Sequence, residues 1–403
     1  MSLDLTKVVA QVGSMVAGLK AGGEERRKRL QYALDVLYDK SIDLDHLRKK
    51  IGDSKGKTTW LVAGLVDGLS QHYKPPPLPS EFTVIATDGS HIDVDRHRST
   101  RCYLINIGTV VLRYGAQPDA FLDSLPSLYF GDEDLVIAPD GAKGRGQPIE
   151  GVLLGIKRGV DECRRLAELA TELPQGSSAV ALLDGSLILW GLAGQVYPEF
   201  VIEALLDKGF IRSLEDMRRL NADKRLALAS YISFPRSTDV VNALRVAICP
   251  YDPPDCDRYC STNNKRDCDT VAGVQDRELF ANVLGQGERS ALFISQSSIV
   301  QKHYGAHRAY FFYLRVDDEI ARVEIPQWVA MDESLLNLAH ALVLDQCQRG
   351  QGYPVALSEA HGQAVVTGAD RENFWQLVES SLVDEHLPSV ASAKSQSKRT
   401  KWI

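Results

Sequence analysis

Two aspartates that end apolar runs are the residues best suited to chemistry in this sequence. Residues 83–90 read TVIATDGS and residues 179–186 read AVALLDGS, so Asp88 and Asp184 occupy equivalent places in two matched segments. Each run has the length and β-branched or aliphatic content of a buried strand. A carboxylate at the end of such a strand is costly unless something pairs with it. A divalent cation between two such carboxylates removes that cost, and hard ions such as Mg²⁺ and Mn²⁺ take oxygen ligands of this kind. Asp-Gly is also a plain turn signal. That reading suffices for a single copy, whereas two matched copies favour a metal site.

A two-metal site needs a further acid. The helical pattern before the second run offers Asp161, Glu162 and Glu168, beside a buried stripe of Ile156, Val160, Cys163, Leu166, Ala167 and Ala170. Glu162 borders that stripe and Glu168 lies further round the helix, which leaves a slight preference for Glu162. Near the C-terminus, GYPVALSEAH places Tyr353 and His361 eight residues apart, about two helical turns. A histidine can move a proton to a leaving oxygen and a tyrosine hydroxyl can position a phosphate or a water. A capped helix with a satisfied core histidine accounts for the same residues. Arg289 and Lys302, with serines around them, are candidates for contact with a DNA backbone.

Two other patterns invite a ligand. Residues 52–58, GDSKGKT, imitate a phosphate-binding loop. They have three residues between the glycines where four are needed, and no buried strand precedes them. Cys249, Cys256, Cys260 and Cys268 are spaced C-x6-C-x3-C-x7-C. They are candidates for structural zinc or an iron–sulfur cluster, although the paired C-x2-C knuckles of common zinc sites are missing. Free thiols in a loop are the alternative.

The elements that would carry these residues follow from periodicity and breakers. Residues 4–50 read as helix and 58–72 as a second helical piece, forming an N-terminal helical arm over 1–73. The run KPPPLPSE, 74–81, breaks regular structure and opens the main domain, 74–403. Strands are expected at 82–90 and 102–115, a loop over 116–148 and a helix over 149–173. The second Asp-Gly-Ser strand follows, then helical segments over 196–231 interrupted near Gly209. Residues 249–275 form a cysteine-rich insertion, 309–325 a hairpin turning at Asp317-Asp318, 332–348 and 370–383 helices, and 388–403 a basic tail. Strands mixed with long helices indicate an α/β domain.

The whole chain narrows the functional classes. Its 403 residues carry a net charge of −7, which argues against a protein that coats DNA by bulk attraction and leaves a metal-dependent enzyme untouched. No run is long and apolar enough to span a membrane, and no secretory leader is evident, so a cytoplasmic location is expected. Seven cysteines, an odd number in a long chain, argue against a disulfide framework.

Taken in order, ATDGS, the helix with Arg158 and Glu162, LLDGSL, ISQSS, FFYLR…ARVEIP and GYPVALSEAH resemble the NurA nucleases, from about residue 80 onward. The resemblance implies an RNase H-like core, with a mixed central sheet flanked by helices. It also implies a two-metal nuclease site, usually with Mn²⁺, in which Asp88, Glu162 and Asp184 are the metal-binding acids. Tyr353 and His361 match the family's C-terminal tyrosine and histidine. It implies, further, a homodimer working on DNA with a HerA-type hexameric ATPase in end resection and repair, with 5′–3′ exonuclease and single-strand endonuclease activity. The cysteine-rich segment is not a general feature of that family, and Glu168 stays in reserve for Glu162. The alternatives are a non-catalytic adaptor of the hexameric ATPase, distinguished by a missing site acid, and another RNase H-like nuclease.

Overall fold

A computed structural model of the chain describes residues 4–98, 100–139, 146–194, 197–261 and 266–387. The expected basic tail, 388–403, lies outside them. The chain forms two compact units. The first comprises residues 1–74, 233–297 and 310–323, and the second 75–232, 298–309 and 324–403.

The second unit is built on a five-stranded mixed sheet. Its strands are β1 (Phe82–Ile92), β2 (Tyr103–Tyr114), β3 (Asp119–Tyr129), β4 (Ser178–Asp184) and β5 (Arg225–Ile232), in the order β5-β4-β1-β2-β3. Strands β1, β2 and β3 pair antiparallel, whereas β4 lies parallel to both β1 and β5. An antiparallel meander followed by two parallel strands on its far side is the RNase H-like core. Helix α1 (Val152–Glu172) packs its apolar stripe, including Ile156, Val160, Cys163 and Leu166, against Ile85, Ala181 and Leu183 of the sheet. Helices α2 (Glu333–Arg349), α3 (Val355–Ala364) and α4 (Gly368–Asp384) also belong to this unit. The α/β class and the mixed sheet flanked by helices are therefore as expected.

Two strands of this sheet escape a reading by composition. The stretch expected as loop over 116–148 contains all of β3. Its prolines concealed it, yet Pro126 sits opposite Asn106 on the edge strand, where one side of the backbone needs no hydrogen-bond partner. The helical reading of 196–231 holds only through Arg219, after which RLALASYI forms β5. Leu and Ala favour helix in isolation. Here parallel pairing with β4 overrides that preference, and a strand buried on both faces needs no polar alternation. The interruption expected near Gly209 is a π-helical stretch, Glu203–Ile211.

The first unit holds the helix Leu5–Leu37, capped by Asp4, and the helix Leu44–Asp53, capped by Asp43. Ala33, Val36, Leu37, Leu47 and Ile51 from these helices share a core with Val240, Leu244, Phe280, Phe293 and Phe311. The second helical piece expected over 58–72 is absent. That stretch forms turns and the short strands Gly64–Leu65 and His72–Tyr73, the former pairing with Phe293–Ile294. The hairpin turns at Asp317, whose φ is +48°.

Candidate active site

The sequence echo is the register of the sheet. Thr83 to Thr87 of β1 face Ala179 to Leu183 of β4, residue for residue. The next residue on each strand is the aspartate, so parallel pairing delivers Asp88 and Asp184 side by side. Five apolar or small positions on each strand, nearly all buried, fix that alignment. A slip by one residue would turn each side chain to the opposite face.

Helix α1 brings the third acid. The hydroxyl of Thr87 donates to the carbonyl of Glu162 at 3.0 Å, tying the helix to the strand one residue before Asp88. Gly89 permits the approach, since a Cβ there would lie 2.6 Å from Glu162 Oε1 and 2.9 Å from Arg158 Cγ. The Glu162 side chain is only 12% exposed and its Oε1 is 3.0 Å from Arg158 Nε. Burial pushes its carboxyl up to about 8; Arg158 offsets part of this, and Asp88 and Asp184 add to it. Glu168, held in reserve on sequence grounds, is instead exposed and paired with Arg165.

Helix α3 and the residue before it bring the other two side chains. Pro354 precedes the first turn, where its missing N–H costs nothing. The helix lies against β2 at Gly108, where a Cβ would come within 2.0 Å of the Ala360 carbonyl. Asn106 donates to the Ala364 carbonyl at 2.9 Å, and Ser90 donates to the same oxygen. This fixes His361, whose Nδ1 is 2.7 Å from Asp88 Oδ2. The Tyr353 hydroxyl donates to Asp184 Oδ1 at 2.9 Å, and its ring packs edge-on against Tyr231. Burial, followed by Asp184, lifts the Tyr353 phenol well above its ordinary value, so it stays protonated as a donor. Asp184 is exposed as a residue. Loss of water around its carboxyl still raises it, with the Tyr353 hydrogen bond opposing the shift and Asp88 adding to it.

Glu324 escaped the reading of the sequence. It is buried and accepts from Ser186 Oγ at 2.7 Å and from the Leu187 N–H at 2.9 Å, bracing the turn that follows Asp184. An acid inside the apolar run ARVEIP was its signal. The remaining candidates are placed elsewhere. Arg289 belongs to the first unit and is buried. Its guanidinium lies over the Tyr73 ring and donates to the Ser290 carbonyl, which suits packing rather than contact with a DNA strand. Lys302 is exposed and 3.7 Å from Glu199. The four clustered cysteines are free and also lie in the first unit.

The acids fit hard divalent cations in donor type. Glu162 Oε1 is sealed from solvent with no hydrogen bond, facing only the Arg158 cation. Asp88 and Asp184 are turned toward His361 and Tyr353. Among the described residues, no three His, Cys, Asp or Glu side chains are gathered closely enough to hold a single ion as they stand. Carboxylate rotation is therefore part of any metal binding.

The RNase H-like sheet carries Asp88 within β1 and Asp184 at the end of the neighbouring strand β4. The NurA domain matches residues 82–366, and the chain belongs to the NurA family of nucleases, which act on DNA. No curated protein and no solved structure matches it. Among the described residues no helix is long and apolar enough to cross a membrane.

Proposed function

We propose that this chain is a metal-dependent deoxyribonuclease that hydrolyses phosphodiester bonds by a two-metal mechanism. The observation that carries this reading is the convergence of five polar side chains from separate elements: Asp88 from β1, Glu162 from α1, Asp184 from β4, Tyr353 before α3 and His361 on α3. A coiled or extended chain has no reason to collect three acids where Asp88 raises the carboxyls of both Glu162 and Asp184. An apolar core has no use for them.

Asp88, Glu162 and Asp184 would hold two Mn²⁺ or Mg²⁺ ions. Bound there, the ions supply an activated water and stabilise the departing oxygen. Glu162 gives up its proton and turns from Arg158, leaving that guanidinium free to face a phosphate. His361, more than half exposed, carries a proton to or from the reacting oxygens. The Tyr353 hydroxyl, held protonated, donates to Asp184 or to the substrate. Glu324 keeps the turn after Asp184 from yielding when that carboxylate rotates.

The proposal includes the setting that the family implies: 5′–3′ exonuclease and single-strand endonuclease activity in end resection, as a cytoplasmic homodimer, with a HerA-type hexameric ATPase. The test is cleavage of linear single- and double-stranded DNA by the purified protein with Mn²⁺, Mg²⁺ or EDTA, alone and with such an ATPase. Metal-dependent cleavage that Asp184→Ala abolishes is the expected result. Undiminished cleavage by a pure Asp184→Ala protein overturns the assignment.

A further inference from the structure

The segment from Cys249 to Thr270 spans twenty-two residues and contains no Val, Leu, Ile, Met, Phe, Trp or Ala. Its aromatic residues are Tyr251 and Tyr259. A segment this poor in apolar side chains gains most by sinking both rings into the core. Instead Tyr251 is 36% exposed and Tyr259 is half-buried, and the two rings stack on each other with centroids 4.2 Å apart and planes 8° from parallel. The exposed Arg258 places its guanidinium 5.2 Å from the centre of the Tyr259 ring. Parallel aromatic rings with a guanidinium beside them, held at the surface, make a platform for a flat, unpaired base.

Three polar ties fasten this platform to a basic stretch of the same unit. Residues 46–57, HLRKKIGDSKGK, contain five Lys or Arg and one acid. Lys50 Nζ donates to the Cys249 carbonyl at 2.6 Å, and His46 Nε2 is 3.1 Å from Asp252 Oδ2. Tyr251 is thereby clamped on both sides to the helix Leu44–Asp53. The Cys256 N–H donates to the Lys57 carbonyl at 2.8 Å, which sets Tyr259 one helical turn from Lys57. Lys57 is exposed, as is Lys49, the neighbour of Lys50 on the helix. The segment also carries five acids, of which three are occupied within the unit: Asp252 by His46, Asp255 by the Arg258 N–H and Asp269 by Arg245.

We propose that this face of the first unit binds single-stranded DNA without sequence preference. A base stacks on Tyr251, and the flanking phosphates meet Arg258, Lys49 and Lys57. Every unpaired base has a face to offer a ring, whereas the bases of a duplex are already stacked, so the platform selects single strands. This goes beyond cleavage, since it calls on no metal and on none of the acids of the second unit.

The test uses the full-length protein in EDTA, where binding is read apart from cleavage, with fluorescence anisotropy of a labelled oligothymidine as the signal. Tyr251→Ala should weaken binding about 5–150-fold, the loss of one stacked base. Tyr251→Phe keeps the ring and should bind like the unmutated protein. Lys49→Ala combined with Lys57→Ala should flatten the dependence of log affinity on log salt by about 0.7 per lysine. Undiminished binding by Tyr251→Ala, or an equal loss of duplex binding in that variant, overturns the stacking. An unchanged salt slope in the lysine variant overturns the surface, and does so even where Tyr251→Ala fails to fold, because both lysines are exposed. A protein that binds through these residues but cuts no DNA supports this proposal and overturns the nuclease reading alone.

Discussion

The carboxylate site and the cysteine segment gather polar groups in opposite ways. At the first, the scaffold does the gathering. Buried strands in fixed register, a helix anchored by Thr87 and a second helix seated on Gly108 force the acids together against their mutual repulsion. At the second, no apolar scaffold exists within the segment, and the polar groups are what the segment has to bury. A site held by its fold keeps its shape when its ligand leaves. The cysteine segment has no apolar scaffold of its own and is held by its backbone contacts and by the burial of Cys256 and Cys268. Removing a group from the first should therefore cost activity and spare stability, and removing one from the second should do the reverse.

The largest expected effect is at the two aspartates. Asp88→Ala and Asp184→Ala should bring DNA cleavage to background while leaving the melting temperature of the metal-free protein unchanged or slightly raised, since each removes a repelling charge. Cleavage rates and thermal melts in EDTA, read together, check this. A variant that loses both activity and fold would break the claim that the scaffold holds this site. Gly108→Ala tests the same claim from the other side. Its Cβ would meet the backbone of α3, which cannot give way as a side chain can. The cost should be about 1–3 kcal/mol of stability, together with reduced cleavage because His361 rides on that helix. Urea unfolding measures the first and a cleavage assay the second.

A smaller effect is expected at Glu324. Glu324→Gln keeps the shape but weakens the acceptor for Ser186 Oγ and the Leu187 N–H. Residues that support metal-binding carboxylates typically contribute about 10–100-fold in activity or metal affinity. A loss in that range, partly recovered at higher Mn²⁺, is expected. Unchanged activity would mean that the turn after Asp184 is held well enough by β4 and β5.

The same contrast governs how much could be read before the structure. The echo of two Asp-Gly-Ser runs was legible because it is the strand register itself, written twice. Helix α1 was legible from its stripe, but which of its acids turns inward was not. That depends on where the helix meets β1, and Thr87 and Gly89 set the meeting point. Strands β3 and β5 were hidden for opposite reasons: one carries a proline that only an edge tolerates, the other is made of residues that favour helix until a parallel neighbour claims them. Glu324 was invisible as a brace because its partners lie some 140 residues earlier in the chain. The backbone-contact reading of Arg289 failed to foresee its burial, since a guanidinium over an aromatic ring looks the same in sequence as one awaiting a phosphate.

The smallest effect tests the electrostatic side of the comparison. In the metal-free protein Glu162 is pushed up to about 8, from an ordinary value of 4.5. Between those values the folded chain keeps a proton that the unfolded chain has released. Stability therefore falls as pH rises from about 4.5 to about 8 and levels off above it. Glu162→Gln has no such proton and loses that slope. In EDTA, the melting temperature of the variant minus that of the unmutated protein should grow across this window, with the variant the more stable by its upper end. Saturating Mn²⁺ should reverse the order, because the cation then stabilises the carboxylate that the scaffold alone penalises. A gap that stays constant with pH in EDTA would mean that Arg158 already neutralises Glu162, and that repulsion between the acids is not what the fold works against.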